Sequence, residues 1–273
     1  MQCMSQKSRV RRRLVRLTCG LVPRRLAVAM LMAFAVCWGA AAQGNVYAIA
    51  VGVSRYASPT IENLQYADKD AFDLYTLFKT QAQEQRLRLL TNERATRGNV
   101  LKTVQVLFSQ AGPQDMVVFY FSGHGREGLF LAHDTPIYFN DLLAAMKSSR
   151  AGRKVIFADA CFSGSFSAPG SRLTKMPYLG NNVMTFLSSR SYQISAEITS
   201  RRNGCFTECL LRGLKGAADS NNDRVITALE LFSYVHPRVK SATKGKQIPQ
   251  MWGNFSDNMV IADFRRKTGH GEG

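Results

Sequence analysis

Short apolar runs alternate with amphipathic segments along most of this chain. Val46–Val53 (VYAIAVGV), Arg86–Leu90, Met116–Ser122 (MVVFYFS), Val155–Asp159 (VIFAD) and Val183–Ser188 (VMTFLS) have the length and character of buried strands. Between them, Leu64–Ala82 sets Ala67, Ala71, Leu74, Leu77 and Phe78 on one helical face, and Gly98–Ala111 does the same with Val100, Val104 and Leu107. Helices are also predicted over Asn140–Ser149, Phe206–Leu214 and Ala228–Val239, with a last edge strand at Asn258–Ala262. Strands without a polar face, alternating with helices, predict a mostly parallel sheet covered on both sides. Ser163–Asn182 breaks the rhythm with Ser, Gly, Pro and basic residues, a loop long enough to have a function or to lack order.

The first 42 residues follow a different pattern. They hold eight Lys or Arg and no acid, and Arg24-Arg25 precede seventeen uncharged residues that end in Ala40-Ala41-Ala42. A basic start, a short apolar stretch and a small-residue exit are the marks of a secretory signal, cut after Ala42. The expectation is therefore a signal over 1–42, one domain over 43–265 and a disordered tail over 266–273. The mature protein is periplasmic or secreted, with no membrane span once the signal is gone. The alternative is an uncleaved anchor over 26–42, at the short end for crossing a bilayer.

Composition changes the picture only through charge. The 273 residues carry 36 Lys and Arg against 19 Asp and Glu, a balance that suggests nucleic acid. About half of that excess leaves with the signal. The rest is scattered, with Arg201-Arg202 and Arg265-Arg266-Lys267 among the few clusters and no interleaved aromatics, so no specific nucleic-acid partner is expected. Three cysteines also leave with the signal. Of the remainder, Cys205 and Cys209 are four apart in a helical segment. Their Cβ atoms are then about 5–6 Å apart, too far for a disulfide, so two buried thiols are expected.

Reactive groups in a parallel sheet gather beyond the carboxyl ends of its strands. The third strand ends in Ser122-Gly123-His124-Gly125, the fourth in Asp159-Ala160-Cys161-Phe162-Ser163-Gly164. If the two are neighbours, His124 and Cys161 face each other. An imidazole beside a thiol stabilises the thiolate, which attacks a carbonyl carbon while the imidazole protonates the leaving amine. The N–H groups of Gly125 and Cys161 are candidate oxyanion donors.

Those two motifs, in that order, resemble the caspase-like cysteine peptidases, and most of all the bacterial metacaspase or orthocaspase type. The likeness runs from about Val46 to Pro249 and takes in VYAIAVGVSRY, Tyr66-Ala67-Asp68-Lys69-Asp70-Ala71 and Gln193-Ile194-Ser195-Ala196-Glu197. It implies a three-layer α/β/α sandwich around a roughly six-stranded, mostly parallel sheet. It also implies an endopeptidase with a Cys161–His124 dyad that needs no cofactor. Asp159, two residues before the nucleophile, would accept a P1 Arg or Lys of a protein or peptide substrate. Its alternative use is that of a strand-end acid bonded to loop N–H groups. Asp134 is a second candidate pocket acid. Tyr192 departs from the pattern, since an acid often stands before that glutamine in metacaspase-type chains. Arg172 and Lys175, in the long loop, are candidate self-processing sites. The rival function is a catalytically silent binding or scaffold module.

A calcium loop is the remaining candidate. Asp219, Asn221, Asp223, the Val225 carbonyl and Glu230 fall at the ligand positions of a twelve-residue EF-hand loop, with Arg224 where glycine usually turns the chain. The competing expectation is a polar turn in which Thr227 and Glu230 form a capping box.

Overall fold

The computed structural model describes residues 44–126, 128–160, 182–188, 197–198 and 203–265, all within the compact unit that begins at Gln43. The expected signal, Cys161, Arg172, Lys175, Tyr192 and the expected tail lie outside the described residues. In chain order the elements are β1 (Val46–Gly52), α1 (Ala67–Lys79), β2 (Leu87–Thr91), α2 (Arg97–Phe108), β3 (Met116–Gly123), β4 (Gly125–Arg126), β5 (Leu129–Leu131), β6 (Pro136–Tyr138), α3 (Phe139–Lys147), β7 (Arg153–Ala160) and β8 (Val183–Leu187). Then follow β9 (Glu197–Ile198), β10 (Asn203–Gly204), α4 (Cys205–Arg212), β11 (Val225–Thr227), α5 (Ala228–Ala242), β12 (Gln250–Asn254) and β13 (Val260–Asp263).

Six strands form the central sheet in the order β12-β8-β7-β3-β1-β2. All neighbours are parallel except β12, which runs antiparallel on β8. Successive residues of each strand point to opposite faces, and the core divides accordingly. Ala48, Ala50, Val118, Tyr120, Val155 and Phe157 pack towards α1, α4 and α5. Ile49, Val51, Phe119, Phe121 and Ile156 pack towards α2 and α3. The result is the expected three-layer α/β/α sandwich. On the second face Phe121, Phe130 and Phe139 stack with centroids 4.5 and 4.9 Å apart, each burial contributing about 1.5–3 kcal/mol.

The last strands correct the sequence reading. Val260–Asp263 does not join the sheet but pairs with β11 in a separate two-stranded ladder. The sixth strand is Gln250–Asn254, whose sequence QMWGN carries no strand periodicity. Gly253 is needed there because a Cβ would lie 1.9 Å from the Val183 carbonyl oxygen of β8. A glycine inside a strand weakens the pattern by which it is recognised. The short β4–β6 meander also escapes a periodicity test, being too brief to show one. Cys205 and Cys209 are buried and share no disulfide, as their spacing predicts. Among the described residues no helix is long and apolar enough to cross a membrane.

Sheet order positions the site. From β1 the chain passes to β2 on one side, and from β3 to β7 on the other. The crevice beyond the carboxyl ends of β1 and β3 is thus the topological switch point. The loop after β1 and the residues after β3 meet there.

Candidate active site

His124 follows β3 directly, and β3 pairs with β7 in parallel register, Ser122 opposite Asp159 and Gly123 opposite Ala160. His124 and Cys161 are therefore the next residues beyond one aligned pair on two adjacent strands. The expectation that these strands are neighbours is met; the Cys161 side chain lies outside the described residues.

The loop after β1 holds the imidazole. The His124 N–H donates to the Tyr56 hydroxyl at 2.7 Å, and the Tyr56 ring lies against the imidazole, centroids 5.2 Å apart. His124 Nε2 is 2.8 Å from the Glu62 carbonyl oxygen. A carbonyl only accepts, so Nε2 carries the proton and Nδ1 of the neutral ring keeps its lone pair. One backbone contact thereby fixes the tautomer of the imidazole. Gly123 permits the arrangement, because a Cβ there would be 2.9 Å from Phe121 and 3.1 Å from the Tyr56 hydroxyl.

That loop is itself anchored. Asn92, just past β2 and in the left-handed region at φ 47°, accepts the N–H groups of Ser54 and Arg55 through its side-chain oxygen. Its amide nitrogen donates to Asp68 at 2.9 Å, and the Ser54 hydroxyl donates to the same carboxylate at 2.8 Å. Burial opposes ionisation of Asp68, but hydrogen bonds from Ser54, Asn92 and the Lys69 N–H outweigh it and hold the carboxyl below its usual range.

Gly125 opens β4. The Leu131 N–H donates to the His124 carbonyl while Gly125 stands opposite Phe130, which makes Gly125 and Phe130 a non-hydrogen-bonded pair. The Gly125 N–H accordingly points away from β5, on the free side of the meander.

Asp159, the next-to-last residue of β7, is fully buried. It accepts hydrogen bonds from the Ser188 hydroxyl at 2.9 Å and from the Thr207 hydroxyl and N–H at 2.8 and 3.3 Å. Sequence reasoning missed its neighbour. Asp70, 2% exposed on α1, accepts from the Ser122 hydroxyl at 2.9 Å and from the Gly204 N–H at 3.0 Å. A Cβ built on Gly204 would lie 2.2 Å from Asp159 Oδ2 and 3.1 Å from Asp70 Oδ2. The two oxygens are therefore no further apart than the sum of those distances. A signal for Asp70 was present, because it sits among Ala67, Ala71 and Leu74 on the apolar face of its helix. An acid at a core-facing position needs a reason.

Asp134 is engaged elsewhere. It accepts the Arg97 N–H at 2.8 Å at the start of α2. Despite some burial, the N–H groups of Arg97 and Thr135 hold its carboxyl below the usual range. None of these partners belongs to β3 or β7.

The EF-hand-like segment closes on itself. Asp219 accepts from the N–H groups of Asp223 and Arg224, Asn221 from that of Asp223, and Asp223 from that of Val225. Arg224 adopts the left-handed φ of 65° that its position demands. Thr227 and Glu230 form the capping box of α5, and Glu230 also accepts from the Ser220 hydroxyl and N–H. Among the described residues, no group of three or more His, Cys, Asp or Glu is set to hold a metal ion.

With this geometry in place, comparison with known proteins is decisive for the family. Residues 45–260 match the model of the caspase domain. The chain belongs to the caspase family. Caspase-1 from Spodoptera frugiperda is similar in fold, with a TM-score of 0.58 at 17% identity over 82% of this chain and 92% of that one. Its pro-form gives a TM-score of 0.60 at 17% identity, over 80% and 95% of the two chains. A Geobacter sulfurreducens protein gives 0.58 at 17%, over 78% and 94%. No curated protein sequence matches the chain. Caspase-family cysteine peptidases need no cofactor for their chemistry, and their substrates are proteins.

Proposed function

We propose that this caspase-family chain is an exported cysteine endopeptidase that cuts after Arg or Lys through a Cys161–His124 dyad. The observation that carries the reading is the parallel register Gly123–Ala160, which sets the backbone entering His124 beside the backbone entering Cys161. His124 Nδ1, left unprotonated by the Nε2 contact with Glu62, takes the thiol proton. The thiolate attacks the scissile carbonyl carbon, and the oxyanion meets the N–H groups of Gly125 and Cys161. When the C–N bond breaks, His124 returns the proton to the leaving amine. Water then hydrolyses the thioester, with His124 as its base.

Basic P1 preference is supported by Asp70 and Asp159 together. Neighbouring buried carboxylates repel, and a guanidinium or ammonium satisfies both through charge-assisted hydrogen bonds. The patterned N-terminus supports export, and the loop residues Arg172 and Lys175 have the side chains such a pocket would select in self-processing.

Hydrolysis of peptide amides with P1 Arg, Lys, Asp or Ala by residues 43–273 and by Cys161→Ala tests this. Cleavage after Arg or Lys, abolished in the variant, is expected. Cleavage after Asp would leave the dyad and overturn the pocket. No cleavage of any peptide, including by protein pre-nicked in the 163–182 loop, would move the function to a silent binding module.

A further inference from the structure

Behind the two acids lies a hydroxyl chain that neither the dyad nor the pocket chemistry uses. Tyr120 and Thr207 are both fully buried, and their hydroxyl oxygens are 2.6 Å apart. Thr207 Oγ1 is in turn 2.8 Å from Asp159 Oδ2. Direction follows from counting protons. Thr207 donates its one hydroxyl proton to Asp159, so it can only accept from Tyr120, and Tyr120 must donate to Thr207. Burial, reinforced by Asp70 and Asp159, pushes the Tyr120 phenol well above its ordinary range, so it stays a donor. The Thr207 N–H reaches the same Oδ2 at 3.3 Å, while Ser188 holds Oδ1 at 2.9 Å. The plane of the carboxylate is pinned at both oxygens.

We propose that Tyr120 and Thr207 are positioning residues for specificity, a directional relay that orients Asp159 and sets the strength of the basic-P1 preference. The inference rests on the reading of Asp159 as a pocket acid. Neither side chain reaches solvent; Thr207 acts on Asp159 directly and Tyr120 acts on it through Thr207. Chained hydroxyls polarise one another, which makes the threonine a stronger donor than it would be alone. Ser122 also belongs to this arrangement. Two residues beyond Tyr120 and on the same face of β3, it holds Asp70, so the β3 face that buries Tyr120 fixes both acids.

The test is steady-state kinetics of residues 43–273 on peptides with P1 Arg, Lys and Ala, using Thr207→Val, Thr207→Ser and Tyr120→Phe. Thr207→Val keeps the volume and removes the donor. It is expected to raise KM for P1 Arg about tenfold, the size of one hydrogen bond to a charged group, with kcat within about twofold of wild type. Thr207→Ser is expected to restore KM. Tyr120→Phe shifts KM in the same direction by a smaller factor, and carries the test alone if the valine variant does not fold. A wild-type basic preference that both variants leave unchanged overturns the relay alone. So does an equal fall in kcat for every P1 residue. A wild-type enzyme with no basic preference overturns the reading of Asp159 and the relay with it.

Discussion

Gly204→Ala places a methyl group between the two buried acids. The new carbon would lie 2.2 Å from Asp159 Oδ2 and 3.1 Å from Asp70 Oδ2, against the roughly 3.5 Å at which non-bonded heavy atoms are comfortable. Gly204 cannot withdraw freely, because its N–H is bonded to Asp70 and it precedes α4. The Asp159 carboxylate must therefore move by more than about 1 Å, enough to break one or both Thr207 contacts. Hydrogen bonds to a charged group are each worth about 1.5–3 kcal/mol, so the expected loss is about 2–5 kcal/mol. For a domain of this size that lowers Tm by about 5–15 °C. Thermal melts of residues 43–273 measure the loss, and Gly98→Ala is the control. Nothing lies within 4 Å of a Cβ at Gly98 in α2, so that change should be neutral or stabilising by about 0.4–1 kcal/mol. The surviving Gly204→Ala enzyme should also lose affinity for P1 Arg. A melt like that of wild type, with an unchanged KM for P1 Arg, would refute the placement of the acid pair and the pocket built on it.

Tyr56→Phe keeps the ring on the imidazole and removes the acceptor of the His124 N–H. One hydrogen bond at the base is worth about 1 kcal/mol or somewhat more, so kcat should fall about five- to tenfold with KM nearly unchanged; a wild-type kcat would show that Tyr56 does not position the base. Thr227→Ala removes the capping box of α5 and should cost about 1 kcal/mol, read as a lower urea midpoint. The Asp68 carboxyl titrates lower folded than unfolded, so its stabilisation is present at neutral pH and lost as pH falls through the folded value. The gap in urea midpoint between wild type and Asp68→Asn should therefore be widest near pH 7 and close below about pH 4. A gap that persists at low pH would mean that the asparagine disturbs packing instead.

The interior of the sheet was legible because its strands lack a polar face, and the helices because their apolar stripes repeat. β1, β3, β7 and β8 lie within two residues of where the apolar runs put them. The antiparallel edge β12 was not legible, because pairing with β8 overrides a sequence that contains Gly253 and little periodicity. In the site, the order of His124 and Cys161 was visible as two strand ends. The adjacency of the two strand ends is a property of sheet order, which one strand's residues do not carry. Asp70 and the Glu62 carbonyl were missed for a related reason. The first contributes through a helix from another part of the chain, the second through its backbone, and a carbonyl has no sequence signal. Arg224 is left-handed, as the EF-hand pattern requires of that position, while Glu230 at the end of the pattern joins Thr227 in the cap of the next helix.

The Asn92 anchor ties the proposed catalytic imidazole to one margin of the sheet. Among the described residues β2 pairs only with β1, and Asn92 follows its last residue. Peripheral strands open locally at lower free energy than the centre. When β2 peels away it withdraws the side chain that holds the Ser54 and Arg55 N–H groups, and so loosens the loop that presents Tyr56 and the Glu62 carbonyl. The imidazole then loses its fixed tautomer while β3 and β7 remain intact. In dilute denaturant, turnover should therefore disappear before the spectroscopic signature of the sheet does, a reversible switching-off from the margin inwards.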